Sequence, residues 1–281
     1  MTEGLHSPVT AADSLAGIAR RVRRHVVAMH AAAKASHVGC AFSITDILTV
    51  LYFKSLRVDP RNPRAPDRDR FILSKGHACS ALYATLAERG FLPVQSLSTY
   101  ELDGGLLPGH PDRALVPGIE ASTGSLGHGL SIGVGIAVAG KRERRPYRAF
   151  VLLSDGECDE GSVWEAVLSA SHMRLDNLVA IVDANGLQGM GPTEEVLRLS
   201  PFADKWRAFG WAVREVDGHD IVELERTFAS LPFEQGKPGV VIARTVKGKG
   251  VSFMENQVAW HYKSPNPAEL KIALEQLADP A

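Results

Sequence analysis

The sequence predicts an α/β fold, a parallel sheet with helices on both faces, and two observations predict it. Short apolar runs rich in β-branched residues recur at 70–74, 149–154, 178–183, 211–216 and 239–244, as "RFILS", "AFVLLS", "LVAIVD", "WAVREV" and "GVVIAR". Helical patterns separate them, and several runs are apolar throughout, as strands covered on both sides must be. With 281 residues, 45% hydrophobic and 22% charged, the chain can bury such a core. There is no internal repeat and no low-complexity linker. Residues 1–281 are therefore expected to form a single domain that ends in a loop and short helix over 245–281.

The elements follow in order. The start, "MTEGLHSPVTAADSLAG", lacks the basic and apolar regions of a secretory signal. Residues 11–34 carry Leu15, Ile18, Ala19, Val22, Val26 and Met29 at helical spacing, with arginines expected on the outer face. A second helix is predicted from Ser43 or Thr45, before the proline-rich loop "RVDPRNPRAPDRDR". The stretch "LSIGVGIAVAG" at 130–140 is too short to span a membrane, which takes ~20 residues, and reads as a core helix. Further helices are predicted at Ser162–His172 and about 267–278.

A net charge of -1 gives no electrostatic reason to expect nucleic acid or a membrane as partner. Cys40, Cys79 and Cys158 form neither a disulfide framework nor a paired metal motif, so a reducing, cytoplasmic setting is expected.

The chemistry starts at "VLLSDGECDEG", residues 151–161, where a strand ends in Asp155. A right-handed crossover from this strand through the next helix to the strand ending at Asp183 puts both strand ends on one sheet edge. Asp155 and Asn185 then lie side by side, hard oxygen donors suited to Mg²⁺ or Ca²⁺. Gly156 would let backbone approach an anion at the entry to the helix.

Taken together, "SDGECDEGSVWEA…NLVAIVDANGLQGMG" resembles the thiamine diphosphate motif. The segments "KASHVGCAFSITDILTVLYF", "DRDRFILSKGHACSALY", "LPGHPD", "GIEASTGSLGHGLSIGVGIAVAGK" and "VKGKGVSFMENQVAWH" resemble transketolase, in order, from about residue 12 to 265. The resemblance implies the thiamine diphosphate-binding fold and transfer of a two-carbon ketol unit from a ketose to an aldehyde, with a sugar or sugar phosphate as substrate. Asp155, Asn185 and the Leu187 carbonyl would hold the metal. Gly156, Glu157 and the Ser154 amide would face the diphosphate, as would His77. Gly124, Leu126 and Gly127 would pack near the cofactor rings. His37, His110 and His261 would serve the sugar and the reacting carbon, and Glu160 and Glu165 would lie at a subunit interface. His6, His25, His30, His172 and His219 lack such context, and His128 has no clear role.

Two residues depart from the family pattern: Ser154 and Tyr262 stand where glycine is usual, and Tyr262 puts a bulky ring at the rim of the site. The family's pyrimidine-binding domain is not among the segments recognised. The resemblance thus implies an N-terminal subunit of a split transketolase, paired with a C-terminal, pyrimidine-binding subunit in an α2β2 assembly.

Overall fold

The computed structural model describes residues 13–279; His6 and the first two residues of the expected opening helix lie outside them. Helix α1 (Leu15–Ala33) starts where Ser14 Oγ accepts the Gly17 amide at 3.1 Å. Its apolar stripe is buried as expected, but Arg23 is not on the outer face. It is 5% exposed and donates to Asp46 Oδ2 at 2.6 Å. A short helix that was not expected, α2 (Val38–Ser43), comes next, and the helix expected from Ser43 or Thr45 starts at Thr45 as α3 (Thr45–Val50) and runs into a π turn at Leu51–Ser55. Strand β1 (Arg70–Leu73) leads to α4 (Cys79–Arg89), and a long loop leads to α5 (Gly129–Arg142).

Strand β2 (Ala149–Ser154) runs through a 3-10 turn into α6 (Gly161–His172) and β3 (Leu178–Ala184). Then come α7 (Thr193–Val196), α8 (Phe202–Ala208), β4 (Ala212–Asp217), α9 (Ile221–Ala229), β5 (Gly239–Arg244) and α10 (Pro267–Gln276). The sheet order is β1-β2-β3-β5-β4 and every pair is parallel.

Alternation of side chains along each strand divides the core in two. Phe150, Leu152, Val179, Ile181 and Val241 pack beneath α1, α3, α4 and α9. Val151, Leu153, Ala180, Val182 and Val240 pack beneath α5, α6 and α8. Helix α5, expected as a core helix, packs on the core along one side: Leu130, Gly133, Val134 and Ala137 are buried, while Ser131, Ile132 and Gly135 are exposed. Among the described residues no helix is long and apolar enough to cross a membrane.

Parallel pairing points all five strands the same way. The segments after β1, β2, β3 and β5 therefore meet at the carboxyl edge of the sheet, where open α/β folds bind ligands.

Candidate active site

Two groups of side chains occupy that edge. The first is oxygen-rich. Because Ser154 pairs with Asp183 across β2 and β3, Asp155 and Asn185 emerge next to each other. Asp155 Oδ2 accepts the Gly186 amide at 2.7 Å and Oδ1 accepts the Gly156 amide at 2.8 Å. Asn185 Oδ1 accepts the Leu187 amide at 3.0 Å, and the Leu187 carbonyl accepts from Lys247 Nζ at 3.2 Å. Burial pushes the Asp155 carboxyl up to about 6, and the charge of Asp183 adds to the rise. A nearly enclosed carboxyl whose direct partners are neutral is stabilised as an anion by an added cation. One carboxylate, one amide oxygen and one peptide carbonyl are the donor types Mg²⁺ or Ca²⁺ takes. Among the described residues no group of three or more His, Cys, Asp or Glu could hold a metal by itself, so an ion here would complete its shell with ligand or water oxygens.

The second group is a nest of histidines. The His37 ring lies 4.8 Å from that of His261 and 5.1 Å from that of His77, and His77 lies 5.7 Å from His261. His37 takes a left-handed φ of 76°, a costly conformation for a side chain, where its amide donates to the His261 carbonyl at 3.0 Å. Burial and the charge of His77 bring His37 down to about 4, so it is neutral at pH 7. Burial and His77 also lower His110, which packs against Gly124.

Lys247 joins the two groups. It is fully buried, and its Nζ donates to the Leu187 carbonyl and to His261 Nδ1 at 3.1 Å. Cys40 Sγ lies 3.5 Å from the same ring nitrogen. Burial pushes the Cys40 thiol up, but its contacts with His261 and His77 and the Lys247 charge outweigh it and leave the thiol well below its usual range.

Two expected contacts are redirected. Glu157 is wholly enclosed: its Oε1 accepts from Ser74 Oγ at 2.5 Å and the Gly127 amide at 2.9 Å, and its Oε2 accepts the Ser154 amide at 3.2 Å. Glu157 thus braces three loops, and the Ser154 amide already has its acceptor. Ser154 adopts no positive φ, so serine there is unstrained. Close approach at Gly156 also serves a neighbour, since an added Cβ would lie 2.7 Å from Gln188 Cγ.

The other expected residues fall as follows. Leu126 is half-buried beside exposed His128, whose Nδ1 bonds to the Leu126 carbonyl at 3.0 Å. Glu160, at the N-cap of α6, and Glu165, on α6 near exposed Leu168, are both exposed. His25 and His30 are buried, and His219 Nδ1 bonds to Asp46 Oδ2 at 2.7 Å. Sequence reasoning missed Lys75, Asp183 and Lys247, although both lysines stand inside the motifs "SKGHA" and "VKGKGVSF".

A sheet edge of this construction defines the class of enzymes that seat a diphosphate-bearing cofactor at the ends of parallel strands. Residues 16–277 match the family described as "Transketolase, thiamine diphosphate binding domain". The chain is 44% identical to an apulose-4-phosphate transketolase subunit of Phocaeicola vulgatus, over 92% of this chain and 91% of that one. It is 43% identical to a 6-deoxy-6-sulfo-D-fructose transketolase subunit of Clostridium sp., over 86% of this chain and 88% of that one. The solved transketolase of Leishmania mexicana superposes with a TM-score of 0.88 at 28% identity, covering 94% of this chain and 41% of that chain. The chain belongs to the transketolase family.

Proposed function

We propose that this chain is the diphosphate-binding subunit of a two-chain transketolase, which moves a two-carbon ketol unit from a ketose to an aldehyde. The observation that carries the reading is Lys247, whose ammonium touches both Leu187 and His261 and so makes the oxygen donors and the histidine nest one site. The names of relatives support a second chain: the proteins of Phocaeicola vulgatus and Clostridium sp. are both named as transketolase subunits.

When bound, thiamine diphosphate supplies the electron sink that carbon–carbon cleavage beside a ketone requires. Asp155, Asn185 and the Leu187 carbonyl would hold its Mg²⁺ or Ca²⁺, whose part would be to neutralise the diphosphate. Gly156 and His77 would face the diphosphate, and Gly124, Leu126 and Gly127 would lie toward the rings. Neutral His37 accepts or donates a hydrogen bond at a sugar hydroxyl. His110 orients the sugar, and His261, with Nδ1 engaged by Lys247, presents Nε2 to the reacting carbon. Glu160, at the N-cap of α6, and Glu165, on its exposed side, face the second chain, which contributes the pyrimidine contacts in an α2β2 assembly. Residues 1–281 act as one unit, in the cytoplasm, on a sugar or sugar phosphate.

The test is to co-purify the chain with its partner, add thiamine diphosphate and Mg²⁺, and measure ketol transfer from fructose 6-phosphate to an aldehyde. Activity of the pair and silence of this chain alone are expected. Sustained turnover by this chain alone, or release of CO₂ from pyruvate in place of ketol transfer, would overturn the reading.

A further inference from the structure

We propose that Tyr262 fixes the width of the site beside His261 by latching the 186–192 loop, and so selects the acceptor aldehyde by size. The proposal rests on the ketol-transfer reading above. Its starting point is a hydrogen bond from the Tyr262 hydroxyl to the Gly189 carbonyl at 3.0 Å. The Tyr262 ring packs on the His261 ring, with centroids 5.0 Å apart. Gly189 is pressed between the two: an added Cβ would lie 2.7 Å from the Tyr262 oxygen and 3.3 Å from His261 Nε2.

The base of this loop is tied internally. The Gln188 amide donates to the Gly191 carbonyl at 2.8 Å, and the Thr193 amide to the Gly186 carbonyl at 2.9 Å. The Gln188 side chain donates to Asp159 at 2.7 Å. The tip is not tied in this way. Among the described residues, the Tyr262 hydroxyl makes the one hydrogen bond that reaches Gly189 or Met190, and Met190 is 80% exposed.

Tyrosine suits such a latch because a rigid ring with two side-chain torsions spans a fixed distance at low entropic cost. Here it holds the tip against the Nε2 edge of His261. Substrate atoms extending past that edge must fit beside the tip, so a long acceptor meets the wall and a two-carbon aldehyde does not. A tyrosine side chain offers no cation to a phosphate, so the discrimination is by size.

Two measurements decide it. In the isolated chain, Tyr262→Phe keeps the ring and removes the latch, and amide exchange at Gln188 and Thr193 should quicken about fivefold, the weight of one net hydrogen bond. Unchanged exchange overturns the latch. In the reconstituted pair, Tyr262→Gly should raise kcat/KM for ribose 5-phosphate relative to glycolaldehyde by about tenfold. An unchanged ratio in an active pair overturns the size selection. If the parent pair transfers no ketol unit, the proposed function falls, and the exchange experiment still judges the latch.

Discussion

Asp183 holds the side-chain amide of Asn185 by its nitrogen, at 2.8 Å, and so decides which end of that amide is left for a ligand. The same Asp183 oxygen accepts from Lys75 Nζ at 2.6 Å and from Ser43 Oγ at 2.7 Å, and the other accepts from Thr245 Oγ1. Burial alone would raise the Asp183 carboxyl, but the Lys75 charge outweighs it and keeps the group ionised. An anion locked by four donors cannot rotate to release Asn185, and Asn185 Oδ1 stays on the side of the Leu187 amide, which donates to it.

Asp183→Asn should therefore damage both stability and the site. Lys75 would keep a buried charge without its counter-ion, a loss of about 3 kcal/mol. The new amide could present either end to Asn185, and Mg²⁺-dependent cofactor affinity should fall about 10–100-fold. Denaturant unfolding and calorimetry measure the two effects. Parent-like cofactor affinity in a folded variant would show that Asp183 does not orient Asn185.

Asp155 is the one charged donor in its group, and Asn185 is neutral. Asp155→Ala should abolish cofactor binding at low Mg²⁺, whereas Asn185→Ala should weaken it by a smaller factor, about tenfold. Calorimetric titration with thiamine diphosphate at fixed Mg²⁺ ranks the two. Parent-like affinity in the Asp155 variant would place the metal elsewhere.

Lys247→Met removes the donor to His261 Nδ1 and to the Leu187 carbonyl while filling similar space. With that donor gone, nothing on Lys247 reserves Nδ1 as an acceptor, and a tautomer with the hydrogen on Nδ1 would leave Nε2 with none to donate. Activity of the reconstituted pair should fall about tenfold or more in kcat. Nitrogen NMR of the ring should show the change of tautomer. An unchanged tautomer together with unchanged kcat would remove Lys247 from the positioning role.

How much of this was legible depended on what each residue does locally. The unit from β2 through α6 to β3 could be read because apolar strands end abruptly in Asp155 and in Asn185, and a parallel crossover has one hand. His37, His77 and His261 could be recognised only through flanking motifs, since their convergence comes from loops after different strands. Lys247 and Arg23 were not legible as buried groups: periodicity gives a charged side chain an outer face by default, and each turns inward only because Leu187 and His261, or Asp46, lies there. Glu157 read like its acidic neighbours in "GECDE" because its partners, Ser74 and Gly127, are distant in sequence.

On the acid side, stability should depend on His30, outside the site, as much as on His37, since burial brings both rings down to about 4. The His30 ring is 0% exposed; its Nδ1 donates to the Ala35 carbonyl at 3.2 Å, and its Nε2 accepts from Ser80 Oγ at 2.8 Å. Burial lowers it from 6.5 to about 4. In the folded chain it stays neutral down to about pH 4, while in the unfolded chain it takes up a proton near 6.5. The unfolded state therefore binds more protons between these values. The stability His30 contributes is fully present above pH 6.5 and is lost as the pH falls toward 4, by at most about 3 kcal/mol at 1.36 kcal/mol per pH unit. His30→Gln cannot take up that proton. Urea unfolding of parent and variant at pH 7.5 and pH 5 isolates the effect: the parent's advantage should shrink by about 2 kcal/mol at the lower pH, and an advantage equal at both would refute the assignment. Because His30 ties the end of α1 to Ala35, two residues before His37, and to Ser80, three residues after His77, acid should loosen the histidine nest before the sheet gives way.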